Sequence, residues 1–476
     1  MTGAGIPPEV EAGMLAQVLV RAADPAGYEA WEARARAAGW CRHPVRLVGS
    51  TRRYTSSDGE LAGSFGSDQL PDRVLLKACG QRRATRCPTC SAVYRSDAYQ
   101  LVAAGLRGGK GIAETIANHP AIFATLTAPS FGPVHSTRTA AVGQSRPCRP
   151  GVAGVCPHGQ PRACHLVHDP DDPTIGSPIC PGCFDYRSAV IWNALAGELW
   201  RRTTIATRRS LARLAGLPAT KLHQHVRVSF TKVVEYQRRG VVHLHAIIRL
   251  DHPDHLADPP PAPFDTALLT QALQHAATTA TVAYPPSPGL DGAACWGTQL
   301  DLHPIPHDGD GPIPGVVAAY LAKYATKSTD PAGHLDHRLD AADLDTLHQH
   351  LSPHLARMVR TAWDLGGRPE LEGLRLRAWA HTLGFRGHWL TKSRRYSTTF
   401  AALRAARADW HTDHDHDARP EGTVSVAHWR YVGTGWTSEG DAWLAATAAA
   451  RHAEARRTAR QERTTTTTAA GEEPRP

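Results

Sequence analysis

Two histidines stand two residues apart in the apolar run GVVHLHAIIRLD, residues 240–251. Side chains of a strand alternate faces, so His243 and His245 point one way while Val242, Leu244 and Ala246 point the other. Two neutral imidazoles side by side are half of a divalent-metal site. A second reactive group lies further along, in VVAAYLAKYATKS at 316–328. Helical spacing there puts Tyr320, Lys323, Tyr324 and Lys327 on one face and lets Val317, Leu321 and Ala325 pack inward. A phenol oxygen can attack a phosphodiester once a metal has withdrawn charge from the phosphate, and a neighbouring lysine stabilises the added negative charge.

Two histidines leave a magnesium or manganese ion short of oxygen ligands. The stretch HVRVSFTKVVEYQ at 225–237 and VVHLHAIIRL at 241–250 form a hairpin around Arg238, Arg239 and Gly240. A three-residue loop, 238–240, sets Glu235 opposite His243 on the same face; a two-residue turn at Arg239-Gly240 sets Tyr236 there instead. Glu235 is therefore the first candidate for a further ligand and Gln237 the second.

The ten cysteines include two Cys-x-x-Cys pairs, which suit zinc in a reducing compartment better than disulfides. Cys87 and Cys90 form one knuckle, which Cys79 and Cys41 complete as a four-thiolate site. Cys180 and Cys183 form another, to be completed from Cys148, Cys156 and Cys164, of which Cys156 and Cys164 are the first choice, with His158, His165 and His168 as competitors. Closed thiolate sites leave no position for substrate, so their expected role is structural.

These groups need a scaffold. Residues 9–38 read as helices interrupted at Asp24-Pro25. From 41 to 183 the chain reads as irregular, apart from a helix near 93–106 and an apolar strand at 121–129. Residues 184–217 show helical spacing, with Val190, Ile191, Leu195 and Leu199 on one face. The hairpin follows, then a helix near 266–283, a strand around 296–305 and the tyrosine helix. An α+β class, with an antiparallel sheet and helices on one side, satisfies this order. Beyond about 330 the chain reads as mainly helical. HTDHDHD at 411–417 reads as a hydrated loop, and the low-complexity tail RQERTTTTTAAGEEPRP as disordered.

Lysine and arginine total 53 against 44 acidic residues, a net charge of +9 that favours a polyanionic partner such as nucleic acid. In FRGHWLTKSRRYSTTF, 385–400, Arg386, His388, Lys392, Arg394 and Arg395 alternate with Phe385, Trp389, Tyr396 and Phe400. Cations there can follow a phosphate backbone while rings such as Trp389 and Tyr396 stack on unpaired bases. No run of roughly 18 apolar residues occurs, and the first residues lack a basic start followed by an apolar core, so a cytoplasmic protein without a membrane partner is expected. GLRGGKGIA has three residues rather than four between Gly105 and Gly109, and Gly111 follows the lysine, which excludes a phosphate loop. No helicase motor is evident.

The histidine and tyrosine motifs together resemble the HUH superfamily of single-strand endonucleases, in which two histidines around a bulky apolar residue bind a divalent metal and a helix tyrosine is the nucleophile. HLH at 243–245 matches the first motif. YLAK at 320–323 and YATK at 324–327 both match the Tyr-apolar-x-Lys form of rolling-circle initiators. FATLTAPSFG, 123–132, is similar to the superfamily's upstream strand motif. CGQRRATRCPTC, PICPGCFDYRSAVIWNALAGELWRRTT, TLTAPSFGPVH, EYQRRGVVHLHAIIRLD and LGFRGHWLTKSRRYSTTF narrow the likeness. They resemble the replication initiators of actinobacterial rolling-circle and integrating conjugative plasmids, over residues 35–410.

The resemblance implies an antiparallel HUH-type nuclease core holding Mg2+ or Mn2+, beside structural zinc. It further implies nicking of one strand at the plasmid's double-strand origin, a 5′-phosphotyrosyl link and a free 3′ hydroxyl, with host helicase and polymerase as partners. Likeness to two-tyrosine phage initiators implies that Tyr320 and Tyr324 act in turn. Single-tyrosine relatives carry an acid where Tyr320 stands, which aligns their nucleophile with Tyr324. The expected organisation is an N-terminal helical and zinc-knuckle region over 1–110, a nuclease domain over 111–330 with a cysteine-rich insertion near 145–185, a helical basic DNA-binding region over 331–410 and a C-terminal extension over 411–476. The alternatives are a transposase or conjugative relaxase of the same superfamily, and a non-catalytic zinc-dependent DNA-binding regulator.

Overall fold

The computed structural model describes residues 8–139, 143, 145–306, 314–327, 335, 337–414 and 422–469. The chain packs as two units, Met1–Tyr94 with Arg404–Pro476, and Arg95–Leu403. This partition differs from the four segments expected, because the last part of the chain pairs with the first and the 331–410 segment shares the sheet of the region before it.

In the first unit, helices Pro8–Ala22 and Pro25–Ala37 meet at Asp24, whose side chain accepts the Gly27 amide at 3.1 Å while Pro25 fits the first helical turn. The long strand Val45–Thr55 pairs antiparallel with both Thr423–Thr434 and Leu61–Gly66, and Leu75–Lys77 pairs with its first residues. These strands correct two expectations, since 41–183 reads as irregular and the region past 330 as helical. The run Gly49–Arg53 breaks the alternation of apolar and polar residues along a half-buried ribbon, so VRLVGSTRRYT lacks a clean apolar period. Trp31, Ala35, Trp40 and Ala445 form this unit's core, with Tyr28 and Trp436 packed on it. Helix Glu439–Ala469 runs through the threonine tract expected to be disordered. Residues 411–414 of the HTDHDHD stretch end helix Phe400–His414, whereas 415–417, like 470–476, lie outside the described residues.

The second unit is built on five antiparallel strands: β1 (Ala121–Leu126), β2 (Arg227–Tyr236), β3 (Val242–Asp251), β4 (Leu300–Pro304) and β5 (Leu390–Lys392), in the spatial order β4-β1-β3-β2-β5. Helix α1 (Tyr186–Leu214) starts at Asp185, whose carboxylate accepts the Ser188 amide at 3.0 Å. Its Val190, Ile191, Leu195 and Leu199 join Leu269, Ala272 and Leu273 of α2 (Thr266–Thr279) and the even-numbered residues of β3 in one buried core. Helix α3 (Pro314–Ala325) packs on β2, and its Tyr320 reaches His245 on the other face of the sheet. Helices therefore cover both faces, not one. The cause is visible in β3, where nearly every residue is buried whichever way it points. The molecule is thus a mixed α and β chain with antiparallel sheets and cysteine groups able to hold metal. Among the described residues no helix is long and apolar enough to cross a membrane.

Candidate active site and metal-binding groups

Strands β2 and β3 pair with Glu235 opposite His243 and Val233 opposite His245. The Gln237 amide donates to Val241 O and the Gly240 amide to Gln237 O, both at 2.9 Å, which closes a loop of residues 238–240. Gly240 sits at φ +75°, the left-handed region that favours glycine. The register is thus the three-residue alternative, and it carries the Glu235 carboxylate to the histidines. Gln237, the second ligand candidate, has its side-chain oxygen engaged by Arg239 Nε at 2.7 Å. Arg239 also donates to Pro129 O at 2.7 Å and Ala128 O at 2.8 Å, tying the turn to the end of the upstream TLTAPS motif.

Sequence reasoning missed Asn193, a buried polar residue in the middle of α1. Its amide nitrogen donates to Gly240 O and Leu383 O, both at 2.9 Å, and its oxygen accepts the Val242 amide at 3.0 Å. A buried amide that satisfies three backbone groups fixes the turn's position. The signal was present, since asparagine interrupts the apolar face AVIWNALAG.

Glu235 Oε2 lies 3.0 Å from His243 Nε2 and 3.4 Å from His245 Nε2, and Oε1 accepts Lys327 Nζ at 2.5 Å. Burial disfavours the charge on Glu235, but hydrogen bonds from His243, His245 and Lys327 outweigh it and hold the carboxyl down at about 2. Burial also pushes His245 below the usual imidazole range, towards the neutral form that ligates metals. Thr125 Oγ1 lies 3.1 Å from His245 Nδ1 and fixes the ring so that Nε2 faces Glu235. Phe123 stacks on the same ring, with centroids 5.9 Å apart and planes 8° from parallel. One ligand atom from each of Glu235, His243 and His245 falls within 4.8 Å of the others, close enough to share one cation.

The tyrosines arrive from α3. Val317, Leu321 and Ala325 are buried as expected, but the helix ends at Ala325 rather than at 328. Lys327 follows in a tighter turn, its amide donating to Tyr324 O at 3.2 Å, and its ammonium reaches Glu235. Tyr320 Oη lies 3.4 Å from His245 Nε2, and the Tyr320 and Tyr324 rings meet at 4.5 Å. Lys327 Nζ lies 4.1 Å and Lys323 Nζ 5.8 Å from the Tyr324 ring centroid. Burial, and then hydrogen bonding with Tyr324, push the Tyr320 phenol above its ordinary range.

The cysteines gather into three groups able to hold metal ions such as zinc. Cys41, Cys79, Cys87 and Cys90 come together with Sγ–Sγ distances of 3.6–3.8 Å. That is close to the roughly 3.8 Å edge of a tetrahedral zinc-thiolate centre. Cys180 and Cys183 come together with Cys156, but the fourth member is His158 and not Cys164. Cys164 belongs instead to a group with His135, Cys148 and His168. The correction follows from local pairing, because Cys164 exchanges two backbone hydrogen bonds with Arg149 and is thereby held beside Cys148. His165 is exposed and in none of the groups.

The basic segment at 385–400 does not form the stacking surface expected of it. Tyr396 is fully buried with Oη donating to Val102 O at 3.3 Å, Phe385 is buried, and Trp389 packs against Tyr236 and Phe385. Lys392 Nζ donates to the carbonyls of Arg394 and Ser397 at 3.1 and 2.9 Å. The physical reason is that Leu390–Lys392 is itself an edge strand, so its rings serve the core. Arg386, His388, Arg394 and Arg395 stay exposed. A more concentrated cationic surface is a groove of about 690 Å³ between α1 and α2, lined by Arg201, Arg202, Arg209, Arg213 and His275. Its sequence signal, WRRTTIATRRSLARL, reads as plain amphipathic helix.

A family model described as "Replication initiator protein, pSAM2" matches residues 27–450. A "Replication initiator protein" of Streptomyces ambofaciens is 41% identical over 457 residues, covering 93% of this chain and 94% of that protein. No solved structure matches.

Proposed function

Because the chain belongs to the pSAM2 family of replication initiator proteins, we propose that it starts plasmid replication by nicking one strand at the double-strand origin, through an HUH-type nuclease core. What supports this is the meeting of Glu235, His243 and His245 with two phenols and a lysine at one end of the β2–β3 hairpin. Two imidazoles and a carboxylate suit Mg2+ or Mn2+ and leave positions for phosphate oxygens, and such an ion, when bound, withdraws charge from the scissile phosphate. Tyr324 is the opening nucleophile: its oxygen bonds to phosphorus as the bond to the 3′ oxygen breaks, leaving a 5′-phosphotyrosyl link and a 3′ hydroxyl for host polymerase. Lys323 and Lys327 flank that ring and stabilise the charge that develops on the phosphate. Tyr320, whose phenol burial pushes above its ordinary range, serves the second transfer that closes the strand. Exposed Arg386, His388, Arg394 and Arg395 contact the DNA backbone, the cysteine groups hold structural zinc, and a host helicase unwinds the duplex.

The test is a nicking assay on a single-stranded origin oligonucleotide with manganese or magnesium, comparing wild type with Tyr320→Phe, Tyr324→Phe and the double variant. The expected result is a denaturation-resistant protein–DNA adduct that Tyr324→Phe abolishes. Persistence in both single variants and loss in the double would make the tyrosines interchangeable. Folded wild-type protein that binds the oligonucleotide without nick or adduct would refute the nuclease reading and leave a zinc-dependent DNA-binding regulator.

A further inference from the structure

We propose that His135, Cys148, Cys164 and His168 bind a zinc ion of their own, and that this ion braces the turn of the β2–β3 hairpin. Two thiols and two imidazoles are a closed tetrahedral zinc set. His168 Nε2 lies 3.4 Å from Cys164 Sγ and 3.2 Å from His135 Nδ1, and one ligand atom from each of the four residues falls within 4.8 Å of the rest. Ligand atoms around a tetrahedral zinc with bonds of about 2.0–2.3 Å stand roughly 3.3–3.8 Å apart. The two cysteines form no disulfide. Antiparallel backbone pairing of Arg149 with Cys164 and of Cys148 with Leu166 sets both thiols side by side, and the spacing of CHLVH brings His168 back to Cys164. The group is separate from Cys156, His158, Cys180 and Cys183, which gather elsewhere in the same insertion.

The orienting carboxylate is also present. Asp172 Oδ2 lies 2.6 Å from His168 Nδ1, the ring nitrogen opposite the one that faces Cys164. Pairing a ligand imidazole with a carboxylate in this way fixes its tautomer and direction. Asp172 is held in turn by the hydroxyl and amide of Thr174, at 2.7 and 2.8 Å.

The same segment touches the hairpin. His135 exchanges backbone hydrogen bonds with Gly176 and Ser177, both at 2.9 Å. Gly176, at φ +87°, lies against the backbone of Arg238, where any Cβ would collide. Arg238 Nη1 donates to Asp172 O at 3.3 Å. Asp172, which orients the ligand His168, thus contacts Arg238, the first residue of the turn that fixes Glu235 opposite His243, and the ligand His135 is tied to the same residue through Gly176.

Zinc content of the purified full-length chain and hydrogen exchange of the 237–242 amides test both parts. Cys164→Ser is expected to carry one zinc fewer than wild type and to exchange faster at 237–242. Asp172→Asn keeps all four ligands, guarding against a Cys164→Ser chain that fails to fold; it should carry the wild-type amount of zinc but release one equivalent to a chelator about tenfold faster. Unchanged zinc content in folded Cys164→Ser, or wild-type release from Asp172→Asn, overturns the site. Loss of one zinc with unaltered exchange at 237–242 overturns the bracing.

Discussion

The β2–β3 hairpin carries a carboxylate, histidine and a cation at each of its ends, in opposite settings. At the far end Asp251 accepts Arg249 Nε at 2.6 Å and Nη2 at 3.0 Å and lies 3.0 Å from His119 Nδ1, and none of these side chains is more than 1% exposed. Arg249 also donates to Gly105 O and Tyr396 O, and lies over the Tyr396 ring. At the near end Glu235 meets His243, His245 and Lys327, whose side chain is 46% exposed, and two phenols stand beside them. Similar residue types therefore do different work. The far cluster is buried, its charges answered by one another, by backbone and by ring, whereas the near one leaves imidazole and phenol groups within reach of one another and of solvent.

The contrast breaks most forcefully at the sealed end. Asp251→Asn leaves the Arg249 charge buried without its partner and should destabilise the chain by about 3–5 kcal/mol. Urea unfolding measures this, and nicking per folded molecule should stay at the wild-type level. At the open end the effects reverse: His243→Ala should slow manganese-dependent nicking about a hundredfold with little shift in the urea midpoint. Equal loss of stability in both variants would erase the distinction between the two ends.

A finer test uses Thr125→Val, which removes the hydroxyl beside His245 Nδ1 and should weaken metal affinity about tenfold. The readout is a higher manganese concentration for half-maximal nicking, with the rate at saturation preserved; a fall in the saturated rate alone would contradict a positioning role. The smallest effect is on the pH dependence of the metal-free protein. Glu235 has a folded value of about 2 against its ordinary 4.5, so its charge stabilises the fold fully above pH 4.5 and that contribution disappears as the pH falls through about 2. Asp251 is also depressed, burial notwithstanding, by His119 and Arg249, so its contribution has the same sign and is lost below its ordinary 3.8. Glu235→Gln should flatten the decline of thermal midpoint between pH 4.5 and 2; an unchanged slope would remove Glu235 from the account.

The near cluster was legible in the sequence because its parts are local: alternation shows that His243 and His245 share a face, and a four-residue period shows that Tyr320 and Tyr324 do. The hairpin loop decided the position of Glu235, and both loop lengths fitted the same residues until backbone hydrogen bonding selected one. The far cluster was not legible, since His119 stands 132 residues before its partner Asp251, and Arg249 and Asp251 of β3 read singly as ordinary polar residues at a strand end. The same limit hid the metal group of His135, Cys148, Cys164 and His168, whose ligands mostly come singly at irregular intervals, whereas Cys87-x-x-Cys90 announces itself within one turn. The basic segment misled for another reason: a strand at a sheet edge and a nucleic-acid surface both alternate rings with cations, and only burial tells them apart.

The pairing of Val45–Thr55 with Thr423–Thr434 has a consequence for how the chain is made. A ribosome adding about 5–20 residues per second releases the first of these strands some tens of seconds before the second exists. The whole Arg95–Leu403 unit is synthesised in that interval. The early strand must spend it with one long edge unpaired, in a crowded cell where such an edge is a template for other chains. Its arginines, Arg46, Arg52 and Arg53, are the kind of residue that keeps a waiting strand from joining a stranger.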